Sequence, residues 1–144
     1  MDVIAATIAR LLDQVSDLRQ VGGAIELDTV INSDSRVDTP AAFVVPIADL
    51  PNRDESFAGR TIQRVEGTVA VIFCLDHYRD ELGADAVMDL NTLRAKVRKA
   101  LLGWVPDEEA GEPVYAGKGR LLNFAEGRTW WSDEYLITYY WTQQ

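Results

Sequence analysis

Apolar side chains recur every three or four positions at the start of the chain, at Val3, Ile4, Ile8, Leu11, Leu12 and Val15, while Asp2, Thr7, Arg10 and Asp13 face the other way. That spacing makes one stripe of an α-helix and predicts a helix over about residues 2 to 14. A shorter pattern follows at Ala24, Ile25, Leu27, Val30 and Ile31. Gly22 and Gly23 before it leave helix and strand both open.

The pattern then changes period. The run AAFVVPI from Ala41 to Ile47 is β-branched and aromatic, which predicts a strand, and Pro46 has no N–H for a sheet ladder, so the strand is expected to stop near it. Ala48 to Arg60 mixes proline, glycine, asparagine and charge, and reads as a long exposed loop. Between Thr61 and Tyr78, Val69, Val71, Phe73 and Leu75 alternate with Ala70, Ile72 and Cys74. Apolar residues on both faces place this strand in the middle of a sheet.

Ala86, Val87, Leu90, Leu93, Val97, Ala100 and Leu101 return to helical spacing, with Asp85 and Asp89 early and the bases late, as a helix dipole favours. A helix over about residues 84 to 102 is expected, with Gly103 as its left-handed cap and Pro106 barring continuation. After the acidic stretch Asp107, Glu108, Glu109 and Glu112, the segments Val114 to Phe124 and Thr129 to Trp141 read as a hairpin turning at Gly127, with Gly117 and Gly119 marking a bulge in its first arm. In the second arm, Tyr135, Ile137, Tyr139 and Trp141 share one face and Leu136, Thr138 and Tyr140 the other, so one set fills a core and the other is left for contact. The sum is an α+β fold in one domain over residues 1–144: a mainly antiparallel sheet of about four strands packed against two or three helices.

Composition narrows the function. The chain has 144 residues and carries 23 acidic against 14 basic side chains, a formal charge of −9, which disfavours sequence-independent binding to phosphate backbones. The basic group Arg94, Lys96, Arg98 and Lys99 sits at a helix C-terminus, where cations are expected anyway. The N-terminal stretch lacks a basic leader and an apolar core, and no run approaches the roughly 20 apolar residues of a membrane helix, so a soluble protein of the cytoplasm is expected. Cys74 is the single cysteine and reads as a small buried hydrophobe.

Candidate chemistry is sparse. His77 is the single histidine, and none of Ser16, Ser33, Ser35, Ser56 or Ser132 lies in a G-x-S-x-G turn. One cysteine and one histidine do not make a tetrahedral zinc shell. In the stretch Asn32 to Val37, a faint calcium-loop rhythm fails at Arg36 and Val37. Gly117-Lys118-Gly119 lacks the third glycine and the helix of a phosphate loop. The carboxylate pairs Glu108–Glu109 and Asp133–Glu134 suit solvated or opposed positions better than glycosidase chemistry. No catalytic residue, metal ligand or cofactor is expected.

The order of segments, TPAAFVVP, a long loop, VEGTVAVIFCL, an amphipathic helix, LLGWVPD, PVYAGKGRLL and TWWSDEYLITYYW, resembles the phage tail terminator family over nearly the whole chain. The carrying marks are Pro40 and Pro46 around the first strand, Gly103-Trp104 with Pro106, and Tyr115 with Gly117 and Gly119. The resemblance implies a structural virion protein, assembled in the host cytoplasm. It implies a homo-hexameric ring on the head-proximal end of the tail that stops tube growth and offers a docking surface to the neck and head. Its implied partners are copies of itself, the tube protein, neck or connector proteins and, as a further candidate, sheath protein, with DNA passing through without specific binding. A head–tail joining protein is the structural alternative, and a small hydrolase or carbohydrate-binding domain the alternative from another class. Contact residues are expected at Arg53, Asp54, Glu55 and Arg60 in the loop, at Asp107, Glu108 and Glu109, and at Tyr140.

Overall fold

Asp2 caps the first helix, its Oδ1 accepting from the backbone N–H groups of Ile4 at 3.1 Å and Ala5 at 3.0 Å. The computed structural model describes residues 2–32, 37–53, 56–57, 59–76, 84–108, 110–125 and 127–143. Helix α1 runs Val3–Gln14. Its buried stripe differs from the expected one, because Thr7 is buried while Leu12 is exposed. The Thr7 hydroxyl donates to Val3 O at 2.6 Å, so its polar atom enters the core already satisfied.

Strand β1, Gln20–Gly22, is too short to register as a period and was not anticipated. Helix α2, Ala24–Asn32, settles the ambiguous second pattern. Glu26 accepts the Gly23 N–H at 3.0 Å, a capping contact that favours helix over strand at this point.

Strand β2 runs Ala41–Pro51 and does not stop at Pro46. A register shift between Pro46 and Ala48 absorbs the irregularity. Among the described residues β1 borders β2 only from Ala41 to Phe43, so past that point Pro46 lies on an open edge, where a missing N–H costs no ladder bond. The expected loop over 48–60 is therefore corrected to a hairpin arm. In it β2 continues to Pro51, β3 (Ser56–Phe57) pairs with Thr61 and Arg60, and β4 spans Arg60–Asp76. From Pro46 to Pro51 β2 is exposed on both faces, and so its composition reads as loop while the backbone pairs as sheet.

Helix α3 spans Ala84–Leu101, followed by Gly103 at φ 81°. Strands β5 (Tyr115–Ala125) and β6 (Arg128–Gln143) form the closing hairpin through Gly127 at φ 72°. The sheet order is β1-β2-β4-β6-β5, with β3 an appendage of β4. This makes six strands instead of about four; all pairs are antiparallel except β1 with β2. The central position of β4 agrees with its doubly apolar sequence, and Val69, Ala70, Val71, Phe73 and Cys74 are buried.

One face of the sheet carries α1 and α3, with Leu11, Val15, Leu93, Val97 and Leu101 meeting Val44, Val71, Phe73, Tyr135 and Ile137. On the other face a smaller cluster joins Val30 of α2 to Phe43 and Cys74, with Trp130 packed against it. Phe43 and Trp130 stack there at 6.3 Å. Beyond that cluster the second face has no helix among the described residues.

Candidate interface surfaces

The surfaces open to partners are held by a buried polar lock. Arg94 of α3 donates to both oxygens of Asp133 on β6, Nε to Oδ2 at 2.8 Å and Nη2 to Oδ1 at 3.0 Å. Trp131 Nε1 donates to the same Oδ1 at 2.8 Å, and the Arg94 guanidinium lies 4.4 Å from the centroid of the Trp131 ring. The lock ties α3 to the sheet beside β5. At the other end of α3, Arg10 Nε donates to Ala100 O at 2.9 Å while its guanidinium lies over Trp104. Lys96 pairs with Asp17. Two members of the basic group read from sequence are thus engaged within the fold.

The hairpin arm has its own anchor. Tyr139 donates its hydroxyl to Asp49, crossing from β6 to β2 over Gly67 of β4, where an added Cβ would come within 2.8 Å of the tyrosine ring. Burial first, then the bond to Asp49, push the Tyr139 hydroxyl to a pKa far above the ordinary tyrosine value. Further out, Asn52 N–H donates to Arg64 O at 2.8 Å, and Arg64 faces Glu66 at 3.1 Å and Glu112 at 3.6 Å. Glu112 brings the acidic segment after α3 against the arm. The ends of that segment are fixed by Gly103 N–H to Val114 O and Val114 N–H to Trp104 O, both 2.8 Å.

The expected contact residues divide between two places. Arg53 is exposed beyond the end of β2, and Arg60 is exposed as the first residue of β4. Asp54 and Glu55 lie outside the described residues, as do Glu109 and His77. Asp107 is half-buried, its carbonyl accepting from Gly111 N–H at 3.0 Å, and Glu108 is exposed. Tyr140 is half-buried and pairs across strands with Arg64, so it stands on the sheet face opposite α1 and α3, beside the acidic segment through Arg64 and Glu112. Arg53 and Arg60 sit further out, Arg60 by about 13 Å along β4 from Arg64. Asp133, weighed with Glu134 as a carboxylate pair, is instead the buried partner of Arg94.

Sequence reasoning anticipated β5 as the first arm of the hairpin but named no contact residue on it. Every residue from Tyr115 to Phe124 is exposed, including Tyr115, Leu121, Leu122 and Phe124. Two adjacent leucines in a strand place apolar groups on both faces, a signal that could have marked it as an open edge.

Carboxylates also gather around a cavity of about 280 Å³ lined by Asp17, Asp76 and Asp89. Asp76 already accepts from Arg128 Nε at 2.8 Å and from the Thr39 hydroxyl at 3.1 Å, and Asp17 from Lys96. Among the described residues no three metal-ligating side chains converge. Among them, too, no helix is long and apolar enough to cross a membrane.

The family model described as phage tail terminator protein matches residues 1–144. The chain belongs to the phage tail terminator family. No curated protein matches it. Tail terminators are structural proteins of the virion, so the chain is a component of the phage tail that meets other tail or neck proteins. The segment order from TPAAFVVP to TWWSDEYLITYYW therefore identified the family correctly.

Proposed function

We propose that this terminator acts as a single domain, six copies of which close into a ring on the head-proximal end of the tail tube, stop further addition of tube subunits and present a docking surface to the neck. The match of the family model over the whole chain carries this reading. A ring of identical subunits needs a heterologous contact whose rotation closes, and its two faces are then free for different partners. The arm bearing Arg53 and Arg60, with Asp54 and Glu55 between them, is assigned to tube or neighbour contacts. The acidic segment with Asp107, Glu108 and Glu109, whose later residue Glu112 reaches Arg64 beside Tyr140, is assigned to the lumen or neck side. A net charge of −9 suits a ring through which DNA passes without adhering. Work of this kind consists of contacts and involves no bond-breaking step.

The deciding experiment adds the purified chain to polymerising tube protein and measures tube lengths by electron microscopy. Tubes capped at one end and arrested in growth are expected. Unaltered growth with the chain bound to finished tails would transfer the assignment to a head–tail joining protein. Under the structural reading the double replacement Glu108→Gln/Glu109→Gln leaves tube arrest intact.

A further inference from the structure

The exposed large hydrophobic side chains of the described residues are concentrated on two opposite edges of the sheet. On β5 they are Tyr115, Leu121, Leu122 and Phe124, between 41% and 57% exposed. On the far side, along β2 and α2, they are Ile25, Ile31, Ile47 and Leu50, between 52% and 81% exposed. The two edges also carry opposite charge. Strand β5 has Lys118 and Arg120 and no acid, and neither base has an ion-pair partner among the described residues. Among the described residues from Arg19 to Pro51, the β1/β2 edge with α2 has Glu26, Asp28, Asp38 and Asp49 against the single base Arg19, and all five are exposed. The next base, Arg53, lies beyond the end of β2.

Backbone geometry points the same way. Among the described residues β5 pairs only with β6, and β2 has no outer neighbour from Val44 to Pro51. Long, apolar, unpaired edges invite strand pairing, and native proteins cover them or guard them with charge. Lys118 and Arg120 guard β5 against indiscriminate pairing while leaving it open to an acidic edge. The matching acidic edge belongs to the same chain. Eleven residues of β5 give a contact about 35 Å long, the scale of a standard protein interface.

From these features we infer that the basic, apolar β5 edge of one copy docks on the acidic, apolar edge formed by β1, β2 and α2 of the next. This deepens the ring reading and rests on it, since two different patches on opposite edges make a heterologous contact that propagates from copy to copy.

The test uses two charge-reversed full-length variants, Lys118→Glu/Arg120→Glu and Asp28→Lys/Asp38→Lys. All four positions are exposed, and circular dichroism with urea midpoints checks that each variant folds. Wild type, each variant and their equimolar mixture are supplied with purified tubes, and copies per tube end are counted by cross-linking and native mass. Wild type should form rings. Each variant alone places like charges across every contact and should lose at least tenfold in ring yield. The mixture restores opposite charge at each contact between unlike copies, and should return ring yield to near the wild-type value with the two variants alternating. Rings of either variant alone at the wild-type yield would overturn the edge pairing and leave the ring reading standing, as would a folded mixture that stays as unassembled as its components. A wild type that never passes beyond single copies on tube ends would overturn the ring reading and the pairing with it.

Discussion

Arg94 grips Asp133 through two hydrogen bonds, 2.8 and 3.0 Å long, and so fastens α3 to β6 next to the open edge of the sheet. Asp133 is the more buried partner, 7% exposed, and loses most if left alone. Arg94→Met should cost about 3 kcal/mol, because the largely buried Asp133 carboxylate loses its counter-charge and keeps only the Trp131 N–H. The double variant Arg94→Met/Asp133→Leu should recover much of that loss. Urea denaturation of the three proteins measures it, and a single variant as stable as wild type would remove the lock from the account.

Gly119 is required by the same lock. A Cβ there would overlap Asp133 Oδ1 and come within 3.0 Å of Arg94 Nη2. Gly119→Ala is expected to destabilise by about 1–3 kcal/mol through this overpacking. At Gly117 the nearest atoms to an added Cβ are 3.4 Å away, and Gly117→Ala should change stability by less than about 1 kcal/mol. Equal effects at the two positions would contradict the close approach at Gly119.

Alkaline pH should destabilise the protein in a defined window. Burial, helped by the charge of Asp133, pushes the Tyr135 hydroxyl from its ordinary value of 10.0 up to about 12. Burial likewise pushes the Cys74 thiol from 9.0 up to about 12. Tyr139 is raised for its own reasons, burial first. Each folded-state pKa lies above its unfolded value, so the unfolded chain loses these protons first. The contribution of Tyr135 and Cys74 is complete below pH 9 and is lost as pH climbs toward 12, with each of the two adding about 1.4 kcal/mol per pH unit to the slope while it titrates. Tyr135→Phe should flatten the urea-midpoint profile between pH 10 and 12, and an unchanged slope would exclude Tyr135 as a source.

Cys74 should be chemically silent in the folded protein. Its side chain is inaccessible, and the thiolate fraction at neutral pH falls about 1,000-fold when the pKa moves from 9.0 to about 12. Maleimide labelling should wait for unfolding and follow its rate. Rapid labelling in native buffer would show that the β4 centre opens.

Much of this architecture was legible in the sequence, and the exceptions have physical causes. The doubly apolar run around Val69 to Leu75 and the stripe through Leu93, Val97 and Leu101 announced their elements, because both are buried against neighbours of one kind. The alternation of Tyr135, Ile137 and Tyr139 with Leu136 gave the inward face of β6, whereas Trp141, in the same phase, is exposed because β6 has by then run out along the arm. The arm itself was missed, since β2 beyond Pro46 is exposed on both faces and carries no burial pattern, and Pro46 argued for a stop. Of the surfaces, the position of Tyr140 beside the acidic segment depends on Arg64 and Glu112, far apart in sequence and joined only by folding. The open β5 edge was hidden behind its glycines.

Strands β4 and β6 remain paired from Thr61 with Gln143 to Asp76 with Arg128. A ladder of that length reaches about 50 Å, whereas the 18 residues of α3 reach about 27 Å. Tension along the two strands is shared by all their cross-links at once, so the pair behaves as a stiff beam running through the subunit. Under the proposed contact at Arg60, a load received at that tip would pass to the Arg128 end without any helix having to slide, a mechanical property suited to a joint in a tail.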